Sequence, residues 1–266
     1  MAIVARRDGD LYYFIDDEIP VPHAFTTRHG GVSEGIYESL NLGVAFGDNP
    51  LAVAENYDRI LAALGTRKES LVFSRQVHGN TVRVVDHRHR LPDLFALTEE
   101  ADGLVTTAKD VTLAVFTADC IPILLWDETT GAVGAVHAGW RSTVQDIAGA
   151  AVARITALGA NPAHIRAAIG PGIGPCCFET GPEVPQAVLD CLGDTGHANI
   201  FAKDTGKFMV DIKEVNRRLL CRAGLLSAHI NVATQCTMCD PETFWSHRAT
   251  GGQRGSLAAM IVSLAE

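Results

Sequence analysis

Apolar residues come in short runs set apart by Gly, Asp and Asn, and several runs are apolar at nearly every position. Leu104–Thr106, Thr112–Phe116, Ile121–Trp126 and Ala132–Val136 show little alternation, which predicts strands covered on both faces. Leu11–Ile15, Ala24–Thr27, Leu71–Val77, Val82–Val85, Ile165–Ile169, Ile230–Thr234 and Leu257–Leu264 read as further strands. Thr129-Thr130-Gly131 reads as a turn, and Gly79-Asn80 as a tight hairpin turn that leaves His78 at a strand end. Asp48-Asn49-Pro50 starts a helix that Gly65 stops. Ser142 or Thr143 caps a long helix ending near Gly159. Asp211-Ile212-Lys213-Glu214 has capping-box spacing and opens a helix that Gly224 stops. Arg28–Gly35 is a Gly-rich surface loop, and His87 to Glu100 an irregular polar one. Hairpins mixed with isolated helices predict an α+β protein, with mixed sheets flanked by helices. No repeat or linker interrupts residues 1–266, so a single domain is expected.

Composition narrows the function more than the fold. The 266 residues are 47% hydrophobic, enough for a sizeable core. The formal net charge is −9, and no Lys/Arg run exceeds a pair such as Arg217-Arg218. Nothing supplies a phosphate-neutralising patch, so neither nucleic acid nor an anionic membrane is expected as a partner. A small-molecule substrate fits better. Seven irregularly spaced cysteines suit a reduced protein rather than a disulfide scaffold. Met1–Asp8 lacks the apolar core of a signal peptide, and no apolar run is long enough to span a membrane, so the cytoplasm is the expected location. A monomer and a homodimer fit equally well.

The candidate chemistry lies where apolar runs end. Cys120 closes Phe116-Thr117-Ala118-Asp119-Cys120, and His137 stands in Ala135-Val136-His137-Ala138-Gly139-Trp140-Arg141. Gly139 removes bulk beside His137, and His78 would complete a His–Cys–His set. Imidazole and thiolate suit zinc, and three protein ligands leave the fourth tetrahedral position open. The same residues allow a metal-free reading, with Cys120 as the nucleophile of a hydrolase or deamidase and His137 as its base. A non-enzymatic binding protein is a third class.

His₂Cys is also a copper ligand set. A multicopper oxidase needs many paired histidines, whereas the one His-x-His here, His87-Arg88-His89, falls in the polar loop. Zinc is therefore expected ahead of copper. Cys236-Thr237-Met238-Cys239 has C-x-x-C spacing, but the adjacent Cys176-Cys177 make an awkward second pair, so these cysteines read as structural. Gln235 stands where a cytidine deaminase has proline. Gly170-Pro171-Gly172-Ile173-Gly174-Pro175 lacks phosphate-loop spacing and reads as a rigid turn near the site. Arg141, before a predicted helix start, is an anion-binding candidate, and Arg28, Arg248 and Arg254 lie in or beside Gly-rich segments.

Taken together, the chain resembles the YfiH family, also called the laccase-domain or polyphenol-oxidase-type family. The matching pieces include Phe25-Thr26-Thr27-Arg28-x-Gly30-Gly31-Val32-Ser33, Ser39-Leu40-Asn41-Leu42-Gly43, Gly47-Asp48 and Gln76-Val77-His78-Gly79. Thr117-Ala118-Asp119-Cys120-x-Pro122, His137-Ala138-Gly139-Trp140-Arg141, Gly170-Pro171-x-Ile173-Gly174 and Cys236-Thr237 follow in the family's order. The resemblance implies an α/β/β/α sandwich and a metal site, usually zinc, made by His78, Cys120 and His137. It implies phosphorolysis of adenosine, inosine and methylthioadenosine, with adenosine deamination as a further activity. Copper-dependent phenol oxidation is also attributed to the family. On this basis His78, Cys120 and His137 are the expected catalytic residues. Arg28, Asn41, Gln76, Arg141 and Arg248 are the expected substrate-binding residues, with the arginines orienting phosphate. Departures from the pattern are Arg141-Ser142 for Arg-Gly, Trp245-Ser246-His247-Arg248-Ala249 for Phe-Ser-Tyr-Arg-Arg, and Gly251-Gly252-Gln253-Arg254 for Thr-Gly-Arg. The second of these loses an arginine.

Overall fold

The computed structural model describes residues 2–44, 47–96 and 99–264. Its strands are β1 (Ile3–Asp8), β2 (Leu11–Asp16), β3 (His23–Thr26), β4 (Leu71–Val72), β5 (Val82–Val84), β6 (Gly103–Thr106), β7 (Val111–Thr117) and β8 (Ile121–Asp127). They continue with β9 (Val133–Ala138), β10 (Ile165–Ile169), β11 (Glu179–Thr180), β12 (Ile200–Ala202), β13 (Phe208–Val210), β14 (Ile230–Val232) and β15 (Leu257–Ser263). The helices are α1 (Pro50–Ala63), α2 (Trp140–Val144), α3 (Ile147–Ala157), α4 (Glu183–Leu192), α5 (Ile212–Arg222) and α6 (His247–Thr250).

Two six-stranded mixed sheets, ordered β1-β2-β3-β15-β7-β4 and β14-β10-β8-β9-β6-β5, stack face to face. A small third sheet runs β11-β13-β12. The unbroken apolar runs have a direct cause in this layering. Leu257, Ala259 and Ile261 of β15 point into the layer between the sheets, where they meet Leu124, Val133, Ala135 and Ala168 from the second sheet. The intervening Ala258, Met260 and Val262 point outward onto Val53, Tyr57, Ile60 and Leu61 of α1. On the far side, Ile121, Ile123 and Leu125 of β8 pack with α3, α4 and α5 through Ile155, Val188 and Leu219. Alternate residues thus face two different apolar layers, and the order helix, sheet, sheet, helix is the expected α/β/β/α sandwich.

Cap chemistry places the helix ends. The Asn49 side chain accepts from the Leu51 N–H ahead of Pro50, and Asp211 accepts from the Glu214 N–H. Gly65 and Gly224 end those helices with φ of 67° and 104°. Two expectations fail. No hairpin forms at Gly79-Asn80: β4 pairs in parallel with β7 in the first sheet, while β5 pairs in parallel with β6 in the second. The chain between them crosses from one sheet to the other. Ser142 and Thr143 do not cap a long helix either. Gly139 is the N-cap of the short α2, Asp146 turns left-handed at φ 59°, and its side chain then caps α3 through the Gly149 N–H. Within the loop expected from His87 to Glu100, Leu97 and Thr98 lie outside the described residues, and His87–His89 form a 3-10 turn capped by Asp86. Among the described residues no helix is long and apolar enough to cross a membrane.

Candidate active site

Two crossings between the sheets meet at one end of the sandwich. Residues 73–81 lead from β4 to β5, and 118–120 lead from β7 to β8. The end of β9 lies beside the second crossing, since Ala138 pairs with Ile121 and His137 with Pro122. His78, Cys120 and His137 are therefore assembled by topology, although 42 residues separate the first two. Their ligand atoms all lie within 4.8 Å of one another. His78 Nε2 is 3.8 Å from Cys120 Sγ, and the two imidazoles meet edge to face at 4.8 Å between centroids.

Asp102 holds this arrangement, and the sequence reading passed over it. Its buried carboxylate accepts from the N–H groups of Val77, His78 and Gly79, at 3.0, 2.9 and 2.9 Å. Oδ1 also takes His137 Nδ1 at 2.8 Å. One side chain thus fixes the loop carrying His78, which sits at φ 59°, and the tautomer of His137, whose Nε2 is left facing the cluster. Burial pushes the Asp102 carboxyl up, but the bonds from His137, Gly79 and Val77 outweigh it and hold it below the usual carboxylate range.

Burial likewise pushes the Cys120 thiol up, yet His137 and His78 overcome it and bring it down to about 6. Burial lowers His137, while Cys120 and Asp102 raise it to about 9. In the absence of a metal the two groups form a thiolate–imidazolium pair near neutral pH.

Gly139 is there for close approach. A Cβ at this position would lie 2.8 Å from His78 Cδ2 and 3.2 Å from Cys120 Sγ. Because the His78 ring is exposed and can swing away, Gly139→Ala should leave the thermal midpoint within a few degrees of wild type. If the three donors hold a metal, its affinity, tested with zinc, should fall by about tenfold or more, because His78 is displaced from the group. Thermal unfolding together with a competitive zinc titration checks this; unchanged affinity would contradict the role given to His78.

Asp119 closes the back of the site. At φ 88° its carboxylate accepts from Thr237 Oγ1 (2.7 Å), Ser246 Oγ (3.0 Å) and the Arg248 N–H (2.7 Å), and its carbonyl accepts from the Ile173 N–H. The Gly-Pro turn passes directly behind, where a Cβ on Gly172 would meet Ile121 Cδ1 at 2.6 Å. It is the rigid turn that its composition predicts.

The three candidate ligands line a cavity of about 690 Å³. Its walls include Phe73, Phe95, Phe116, Trp140, Ile173, Phe178 and Ile212, and its polar rim includes Arg75, Gln76, His247, Arg248 and Arg254. Gln76 clasps the end of β7, with Nε2 donating to the Phe116 carbonyl and Oε1 accepting from its N–H. Arg248 lies over the Phe178 ring and donates through Nη1 to the Glu179 carbonyl. Burial lowers the Arg254 guanidinium from its usual value, against the charges of Asp119 and Cys120.

Three expected substrate ligands do not line this cavity. Arg28 spends Nε and Nη2 on the Glu38 carbonyl and Nη1 on that of Pro241. Asn41 is fully buried, bonded to Asp48, Gly43 and Ser256, and so positions the Gly43 and Ser256 wall from behind. Arg141 stacks on the Trp140 ring at 4.4 Å from the exposed side. His87 and His89 belong to neither group of potential metal ligands among the described residues.

A second group does gather. Cys176, Cys177, Cys236 and Cys239 come together, so the adjacent pair, awkward as a second pair by its spacing, does lie beside the C-x-x-C.

A two-sheet sandwich with a His/Cys/His group at the mouth of an aromatic cavity is thus the class of site defined here. The chain belongs to the YfiH family: residues 22–264 match the family described as multi-copper polyphenol oxidoreductase laccase. It is 37% identical over 243 residues to the purine nucleoside phosphorylase YlmD of Bacillus subtilis, covering 89% of this chain and 86% of that one. It is 36% identical over 236 residues to the adenosine deaminase RL5 of an unknown prokaryotic organism, covering 87% and 90%. The crystal structure of the Bacillus licheniformis hypothetical protein YfiH superposes with a TM-score of 0.92 at 32% identity, over 98% of this chain and 99% of that one. These relatives support an enzyme.

Proposed function

We propose that the chain is a purine nucleoside phosphorylase acting on adenosine, inosine and methylthioadenosine, with adenosine deamination as a second activity, at a zinc centre held by His78, Cys120 and His137. The observation that carries the reading is the meeting of those donors at one wall of an apolar cavity with arginines on its rim. The donor set fits a metal: two imidazoles and a thiolate within reach of one point, the buried imidazole oriented by a carboxylate, and a glycine clearing the space beside them. When bound by these three residues, zinc would supply a Lewis acid.

The chain's own residues supply the remainder. Phe116, Trp140 and Phe178 line the cavity and give a flat purine aromatic surface to pack on, and the cavity volume is ample for a nucleoside with phosphate. Arg248, with Arg254 beside it, holds the phosphate dianion near C1′. A phosphate oxygen bonds to C1′ as the C1′–N9 bond breaks, and the electron pair passes to the purine, which takes up a proton. That proton is drawn from solvent, since His78 and His137 would both be spent as metal ligands. The site is read as acting on free small molecules, without nucleic acid or membrane, in the cytoplasm, as a monomer or homodimer.

Replacing Arg248 with Ala removes a charge-assisted contact worth about 1.5–3 kcal/mol. The KM for phosphate should rise about 10- to 100-fold while the KM for inosine changes little. Initial-rate kinetics with each substrate varied in turn checks this; an unchanged phosphate KM would remove Arg248 from the phosphate site.

One observation favours a second reading. Cys120, His137 and Asp102 form a nucleophile–base–orienter series with a lowered thiol, as a Cys–His hydrolase requires. His78 is surplus to that series and integral to the metal reading. A His78→Ala variant separates the two: it should abolish turnover in a zinc enzyme and spare a cysteine hydrolase.

A further inference from the structure

We propose that Cys176, Cys177, Cys236 and Cys239 form a second metal centre, a tetrathiolate zinc site that fastens together the two loops behind the cavity floor. The four Sγ atoms lie within 4.8 Å of one another, with Cys239 Sγ 3.4 Å from Cys176 and 3.3 Å from Cys177. Sulfurs around a tetrahedral zinc with Zn–S of about 2.3 Å are about 3.8 Å apart, so an ion needs only small side-chain adjustments to enter. A disulfide, with an S–S bond of about 2.05 Å, is not what this spacing describes, and all four cysteines are free.

The surroundings are those of a thiolate site. The Gly174 N–H donates to Cys236 Sγ at 3.1 Å, as outer partners of a metal-bound sulfur do. Gly174 is itself confined by the cluster: a Cβ there would meet Cys176 Sγ at 3.2 Å and Cys236 Cβ at 3.3 Å. A zinc ion with four thiolates carries a charge of −2, and a buried cation stands beside it. Lys213, only 5% exposed, donates to the carbonyls of Ala233 and Gln235 and lies within electrostatic reach of Cys236 and Cys176. Cys176 and Cys239 are exposed, which gives an ion a way in. On binding, the thiol protons leave to solvent.

The position gives the site a purpose. Gly172 and Cys236 form a parallel bridge, and the Thr237 N–H donates to the Gly172 carbonyl. Thr237 Oγ1 then bonds Asp119, the neighbour of Cys120, while Ile173 and Phe178 from the other loop line the cavity. A zinc clip across these loops holds the wall of one site and the support of the other in register, and needs no part in chemistry.

The test counts metal in full-length protein reconstituted with excess zinc under reducing conditions and then desalted. Wild type should hold two equivalents. Cys120→Ala should hold one, and a Cys176→Ser/Cys239→Ser double variant at the exposed thiols should also hold one, with a lowered thermal midpoint. Cobalt-loaded Cys120→Ala should show the strong thiolate-to-cobalt charge transfer of several thiolates, a measurement that does not depend on the double variant folding. Neither readout requires nucleoside turnover, so failure of the proposed reaction would leave this result standing. Full zinc content in the double variant, no metal in Cys120→Ala, or a disulfide among the four cysteines in freshly reduced protein would overturn the proposal.

Discussion

Replacing Cys120 with Ala should abolish phosphate-dependent release of hypoxanthine from inosine. The thiolate is the one anionic ligand of the His/Cys/His set, and two imidazoles alone hold zinc poorly. A metal Lewis acid takes several kcal/mol off the barrier, and each 1.36 kcal/mol is a factor of ten, so the loss should reach about 10³-fold or more. The fold should survive, because Cys120 is half-buried at the mouth of the cavity and its removal leaves no buried donor unsatisfied. Matched circular dichroism spectra with turnover near that of wild type would remove Cys120 from the chemistry.

Asp102→Ala should be strongly destabilising. It deprives three backbone N–H groups and the His137 Nδ1–H of their acceptor at once. A buried donor left unpaired costs about 1–3 kcal/mol; the His137 bond is buried and the three loop amides only partly so, and with water reaching the latter the total should be about 3–6 kcal/mol. That is a large part of the 5–15 kcal/mol typical of a folded domain. Asparagine does not repair the site, since whichever way its amide turns, the NH₂ faces backbone N–H groups. Asp102→Asn should therefore also be destabilised, and should bind zinc about 10- to 100-fold more weakly. Urea unfolding and zinc competition measure the two effects. A midpoint unchanged in both variants would show that the carboxylate does not hold the loop.

The elements legible in the sequence were those governed by local rules. The strands β7, β8, β9 and β15 follow from apolar runs, because both faces of each strand are covered. The start of α1 follows from Asn49-Pro50, where one side chain decides the cap. Local rules failed where a distant partner intervened. Gly79-Asn80 has the residues of a hairpin, but Asp102 takes the three preceding or included N–H groups and the flanking strands pair into different sheets. The long helix expected after Arg141 breaks because Asp146 adopts a left-handed conformation and begins a second one.

The site was legible in part for the same reason. His78, Cys120 and His137 stand at the ends of apolar runs, a local signal, and the topology collects them. Asp102 sits in Ala-Asp-Gly at a strand start and looks like an ordinary turn residue. Its importance lies wholly in what it accepts across 23 to 35 residues of chain. The four clustered cysteines are joined by a pairing between Gly172 and Cys236 that no periodicity announces. Arg28 shows the converse: a residue in a matching motif whose guanidinium is spent on backbone carbonyls, outside the cavity.

The most direct measurement is the fate of inosine incubated with zinc-loaded enzyme, with and without inorganic phosphate, followed by chromatography of base and sugar. The account predicts hypoxanthine and an equal amount of pentose 1-phosphate, formed only when phosphate is present and lost after chelation. Hypoxanthine with free ribose in the absence of phosphate, or turnover that survives removal of the metal, would contradict it.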